Sequence, residues 1–149
     1  MAAKLIEAGA DHDTINRVMF ETVSPARMIF ENRVKETISI HYGGKCAIMY
    51  QLQSFFEGLQ VEESELEGLS NIPRTIEGVE VGITVREQPD GTCRVSMRSS
   101  EYVDVSEVCQ QFGGGGHKRA AGCTLHMTPQ EAGRAMLQAV GSWFPGVEL

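Results

Sequence analysis

The chain has 149 residues, is 42% hydrophobic and 22% charged, and carries a net charge of −7. That length supports one compact domain with a proper core and a short extension. The acidic balance argues against long duplex DNA, since nonspecific binding draws on a surplus of cations that release counterions from many phosphates. No run is long and apolar enough to span a bilayer, and Met1-Ala2-Ala3-Lys4 leads into an amphipathic helix instead of the apolar core of a signal peptide. A cytoplasmic protein with no membrane partner is expected. Cys46, Cys93, Cys109 and Cys123 are scattered without a Cys-x-x-Cys pair and read as reduced core thiols.

In chain order, Leu5 and Ile6 belong to a short helix ended by Gly9, and Asp11 caps a second helix through Met19-Phe20. Ser24-Pro25 reads as an N-cap followed by proline at the first helical position, opening a third helix with Ala26, Ile29, Phe30 and Arg33 on one face. Ile38–His41 and Cys46–Tyr50 are short apolar runs divided by Gly43-Gly44, a strand, a turn and a strand. Ser54–Leu59 reads as a helix start, Glu62–Ser70 as a second helix with a solvated acidic face, and Asn71–Arg74 as a loop closed by proline.

Val79, Val81, Ile83 and Val85 alternate with Glu80, Gly82, Thr84 and Arg86, which makes one face core and the other polar. Pro89-Asp90-Gly91 supplies a turn, and the partner strand sets Cys93, Val95 and Met97 against Arg94, Ser96 and Arg98. This hairpin places Arg94 and Arg98 on the non-core face. Asp104 and Ser106 are candidate caps for a helix carrying Val108 and Cys109, which stops where glycine begins. Cys123–Met127 returns as a strand, and Thr128-Pro129-Gln130-Glu131 is a capping box opening a last helix through Trp143. This order suits an α/β fold, a mixed β-sheet covered by helices, preceded by a helical connector.

The most informative stretch is Phe112-Gly113-Gly114-Gly115-Gly116-His117-Lys118-Arg119-Ala120-Ala121-Gly122. Consecutive glycines let backbone N–H groups turn toward an anion, and three cationic or donor side chains follow at once. A P-loop needs Gly-Lys-Ser/Thr after its gap, and a dinucleotide fingerprint needs a third glycine where Lys118 or Arg119 stands, so neither fits. A plain glycine linker is the bland alternative, but linkers usually mix in serine. A zinc site from Cys109, His117, Cys123 and His126 is disfavoured, because an offset of three along a strand sends Cys123 and His126 to opposite faces. Arg98 is positioned to bind a phosphate bidentately, the Gly114, Gly115 and Gly116 amides to add donors, and His117 to donate a further bond. Ser99 is expected to offer a hydroxyl. Lys118 and Arg119 are further substrate-binding candidates, one of them expected to face solvent.

Gly-Gly-Gly-Gly-His-Lys-Arg-Ala-Ala-Gly closely resembles the signature of the DHHA1 domain, the C-terminal substrate-binding module of DHH-family phosphoesterases. Val95-Ser96-Met97-Arg98-Ser99-Ser100 and Glu67-Gly68-Leu69-Ser70-Asn71-Ile72-Pro73-Arg74 resemble its oligoribonuclease and phosphoadenosine-phosphate phosphatase branch. The resemblance implies a helical connector over 1–36 and a DHHA1-like domain over 37–149. It implies hydrolysis of nanoRNA, dinucleotides or nucleoside 3′,5′-bisphosphates by a separate catalytic domain holding two metal ions, typically manganese, with no cofactor in this chain. That catalytic domain would be a partner of this one, and the full-length protein a possible homodimer. The resemblance also assigns His117 to phosphate contact. Asp11-His12-Asp13 superficially matches the motif that names the family but sits at a helix start without further ligands, so it reads as a cap. Two other classes stay open: a freestanding RNA- or tRNA-binding accessory module, and an interaction domain whose glycine loop only closes a packing joint.

Overall fold

The structure is a computed structural model that describes residues 9, 11, 22–66 and 68–149. The two helices expected ahead of Ser24, with His12 and Asp13, lie outside the described residues, as does Glu67. Helix α1 (Pro25–Lys35) starts as its sequence dictates. Ser24 stays extended and its hydroxyl accepts from the Arg27 amide at 2.9 Å, while Pro25 fills a first-turn position where no N–H is needed. The face it buries is Phe30 and Val34, and Ile29 is exposed.

Six strands form one sheet: β1 (Ser39–His41), β2 (Cys46–Gln51), β3 (Val81–Glu87), β4 (Cys93–Ser99), β5 (Gly115–His117) and β6 (Ala120–Leu125). Their spatial order is β1-β2-β3-β4-β6-β5. The pair β2–β3 is parallel and the remaining neighbours are antiparallel, so the sheet is mixed, as expected. Parallel neighbours need a crossover, and among the described residues between β2 and β3 it is built of 3-10 turns and loop. Where the sequence suggests a helix over Glu62–Ser70, short 3-10 turns form at Glu63–Leu66, Leu69–Asn71 and Pro73–Thr75; the expected helix start at Ser54 is a 3-10 turn over Gln53–Phe56. Gly68 explains part of the break, since its φ of 84° is left-handed and cannot continue a helix. Packing explains the rest: Leu66 and Leu69 are drawn onto Phe30, Val34 and Met49 in a small core on one face of the sheet.

The main core lies on the other face. The alternating Val81, Ile83, Val85 and Cys93, Val95, Met97 meet helices α2 (Val105–Gln110) and α3 (Pro129–Val140), which contribute Val108, Cys109, Ala132, Met136 and Val140. Asp104 caps α2 by accepting from the Ser106 amide at 3.0 Å. Thr128 and Glu131 form the expected capping box of α3. Among the described residues, no helix is long and apolar enough to cross a membrane.

Candidate functional site

Residues directly opposed in neighbouring strands share a face of the sheet. Arg98 opposes Gly82 on β3 and Ala120 on β6, and Ala120 in turn opposes His117 on β5. Arg98 and His117 therefore lie in one row, two strand spacings or about 10 Å apart, with only an alanine between them. The next row runs Thr84, Ser96, Gly122, Gly115, and the third Arg86, Arg94, Thr124. This face is polar and small, and the helices α2 and α3 are on the opposite one. Two adjoining cavities of about 350 and 570 Å³ run along it and share Arg94, Ser96 and Arg98, forming one groove.

Arg98 is fixed at the centre of that groove. Its Nε donates to Asn71 Oδ1 at 3.2 Å and its guanidinium to the Met97 carbonyl at 3.0 Å, with Ser70 Oγ at 3.5 Å. A guanidinium has five N–H donors, so about two remain for a ligand after these contacts. Asn71, in the segment that the sequence suggests is a loop closed by proline, orients Arg98. The His117 ring is exposed and has no hydrogen-bond partner among the described residues. Arg94 is exposed and opens onto both cavities, and its guanidinium likewise has no hydrogen-bond partner among the described residues.

The glycines act mainly as spacers. A Cβ on Gly114 would stand 2.2 Å from the Gly122 carbonyl oxygen, and the Gly114 amide already donates to Cys109 O at 3.0 Å, so it is not available to a ligand. Gly116, at φ 146°, has its Cβ position 2.6 Å from the Ala120 carbonyl oxygen. Gly115 and Gly116 are not loop at all but part of β5, which the sequence did not suggest; Gly115 lines the groove.

Three of the expected site residues are turned elsewhere. Ser99 is 3% exposed, on the core side of β4, and its hydroxyl donates to Val103 O at 2.7 Å. Strand alternation still holds at that position, which overrides the expected hydroxyl contact. Arg119 donates to the Val103 carbonyl at 2.7 Å and to the Glu101 carbonyl. Lys118 lies near enough to Asp104 to help keep its carboxyl below the usual range, although the Ser106 hydroxyl is the main cause. Arg119 thus faces the 101–104 loop instead of the groove, and the Lys118 charge lies near Asp104 of the same loop. That loop is anchored by Glu80, a buried carboxylate that accepts from the amides of Glu101, Tyr102 and Val103 at 2.8–3.2 Å.

Arg86, Thr84, Ser96 and Gln51 are groove residues that sequence reasoning missed or left without a role. Alternation marks Thr84, Arg86 and Ser96 as a polar face, but which strands adjoin is set by long-range pairing. Arg74 lies away from the groove, beside Lys45 and Glu80 in a third cavity. Among the described residues, no three His, Cys, Asp or Glu side chains come together to hold a metal ion.

Residues 43–145 match the DHHA1 domain family. The chain is 29% identical over 142 residues to the bifunctional oligoribonuclease and PAP phosphatase NrnA of Thermus thermophilus, covering 94% of this chain and 41% of that protein. Over 73 residues it is 33% identical to the cyclic-di-AMP phosphodiesterase GdpP of Geobacillus thermodenitrificans, covering 48% of this chain and 11% of that protein. In structure it is similar to an exopolyphosphatase-related protein from Bacteroides fragilis, with a TM-score of 0.84 at 25% identity over 97% of this chain and 42% of that one. It thus spans 41% of the Thermus protein's length and 11% of the Geobacillus protein's. With the glycine signature folded against Arg98 in a mixed sheet and most of the chain matched, this protein belongs to the DHHA1 domain family.

Proposed function

We infer that the groove holds the phosphate and adjoining base of a short nucleotide substrate and presents it to the catalytic domain of a DHH-family phosphoesterase. The candidates are a short RNA, a dinucleotide or a nucleoside 3′,5′-bisphosphate. The observation that carries this reading is Arg98, a guanidinium oriented by Asn71 on a face of small residues, in register with the free imidazole of His117. A planar guanidinium with paired donors suits a phosphate, and flanking glycine and alanine leave room for the group it carries. The oligoribonuclease, phosphatase and phosphodiesterase activities named for the relatives support this substrate class.

In the whole enzyme, two metal ions would activate the attacking water. The described residues do not fit such a centre, because their carboxylates, thiols and imidazoles do not converge. This reading assigns them binding and orientation only. Each charge-assisted contact contributes about 1.5–3 kcal/mol, so two or three, less ordering costs, give a dissociation constant in the upper micromolar to millimolar range.

The test is calorimetric titration with diadenylate and with adenosine 3′,5′-bisphosphate. Weak, salt-sensitive binding is expected, reduced at least about tenfold by Arg98→Ala and by His117→Ala, the loss of one charge-assisted contact. Lys118→Ala should bind as the parent does. Equal affinity in the parent and Arg98→Ala would sink the reading.

A further inference from the structure

The 350 Å³ cavity at the β3 end of the groove lies between the sheet and the 3-10 turns, and from Arg98 it extends past Arg94 to Arg86 and Glu63, farther than one phosphate at Arg98 reaches. Arg86 and Arg94 are directly opposed across β3 and β4 on the groove face, so their Cβ atoms stand about 5 Å apart. Like charges in that position repel, and an anion between them relieves the repulsion. Glu63 supplies a carboxylate to one of the two, Arg86, and makes no ion pair with Arg94. Its two carboxylate oxygens each accept from Arg86 at 2.7 Å. The carboxyl is held below its usual range, first by that hydrogen bond and also by the charges of Arg86 and Arg94.

The arrangement leaves buried groups unmet. Among the described residues, the Thr84 hydroxyl, in the cavity lining and 2% exposed as a residue, has no hydrogen-bond partner, and neither do Arg86 Nε and, outside the cavity lining, Gln88 Nε2. Buried donors are normally paired, so two orphans on successive groove-facing residues of β3 mark a place where a polar ligand is missing. Glu63 is also an accessible occupant: its side chain is 72% exposed, on a short turn, so an anion from solvent can compete with it for Arg86. A terminal phosphate monoester brings more charge and more acceptor oxygens than a carboxylate, and an internucleotide diester matches it in both.

We propose that this cavity is a second phosphate subsite, taking the phosphate of an adjoining nucleotide unit between Arg86 and Arg94, and that Glu63 is the resident carboxylate which that phosphate displaces. The proposal rests on the Arg98 reading and extends it to substrate length. Arg94 and Arg98 are four residues apart on β4, about 13 Å along the strand, so a mononucleotide reaches one subsite and a longer ligand both.

The experiment titrates the 149-residue chain with 5′-AMP, pApA and pApApA, using the parent, Glu63→Gln, Arg86→Gln and Arg98→Ala. Glu63→Gln should tighten binding of the longer ligands about tenfold and leave 5′-AMP unchanged, and Arg86→Gln should weaken the longer ligands by a similar factor, each the effect of one charge-assisted contact. Because Glu63 is exposed, its variant carries the decision even if Arg86→Gln proves unstable in a urea melt. Unchanged affinities in Glu63→Gln, or affinity independent of ligand length while Arg98→Ala still weakens binding, would overturn the subsite and leave the Arg98 reading standing. Absence of binding by every ligand would overturn both.

Discussion

Of Gly114, Gly115 and Gly116, the middle one differs in its surroundings. No atom lies within 4 Å of a Cβ built on Gly115, and its backbone is not left-handed. Gly115→Ala should therefore change stability by no more than about 0.5 kcal/mol, as surface substitutions do, yet place a methyl group on the groove face and weaken nucleotide binding. Gly116→Ala combines a φ of 146° with a Cβ position 2.6 Å from the Ala120 carbonyl oxygen. It should cost about 2 kcal/mol or more. Thermal melts and titrations on the two variants separate a glycine kept for the fold from one kept for the groove; a large stability loss in Gly115→Ala would contradict the distinction. At this scale the sequence was legible for the face on which Arg98 lies, since strand alternation is a local signal. It was misleading for Ser99 and Arg119, because a hydroxyl or guanidinium looks available until a distant carbonyl is seen to accept its hydrogens.

Among the elements, the 101–104 loop depends on Glu80. That residue alternates with Val79 and Val81 and so reads as solvent-facing, yet it is 4% exposed and collects three backbone amides. The loop it holds then offers the carbonyls that receive Arg119, next to the β5–β6 turn. Glu80→Ala should cost about 2–3 kcal/mol, since charged acceptors are lost and buried amides left unpaired. Urea unfolding measures the loss, and amide exchange should quicken at residues 101–119; a variant as stable as the parent would contradict this role. The carboxyls of Glu63, Asp104 and Glu131 are held below the usual range, by hydrogen bonds from Arg86, Ser106 and Thr128 respectively. Lowered folded values mean that the unfolded chain binds more protons on the acid side. Their contribution is present above the ordinary carboxylate range and lost as pH falls through the folded values. Urea midpoints should thus decline between about pH 5 and pH 3, and a midpoint that rose over that interval would rule this linkage out. Caps and alternating strands were readable because their signals are local. The 3-10 turns and β5 were not: the first follow from apolar contacts with α1, and the second is made mostly of glycine, which carries no strand signal.

For the whole molecule, burial is uneven across the two faces of the sheet. All four cysteines lie inside it. Burial pushes the Cys46 thiol up to about 12, and Cys109 is raised by its hydrogen bond with Cys123 and by burial. At about pH 8, where an exposed thiol reacts readily, the native chain should resist alkylation and take up label at every cysteine once unfolded, as mass spectrometry would show. The α/β class was legible from alternation and capping, but strand order was not, since placing β6 between β4 and β5 requires pairings that only the folded chain reveals. It is that order which sets Arg98 and His117 in one row. The most direct test of the groove is an amide chemical-shift map of the 149-residue chain titrated with diadenylate. Shifts concentrated at Ser96, Arg98, Gly115, His117 and Ala120 are predicted, with α2 and α3 silent. Shifts gathered instead around Lys45 and Arg74, or on the helical face, would contradict the account.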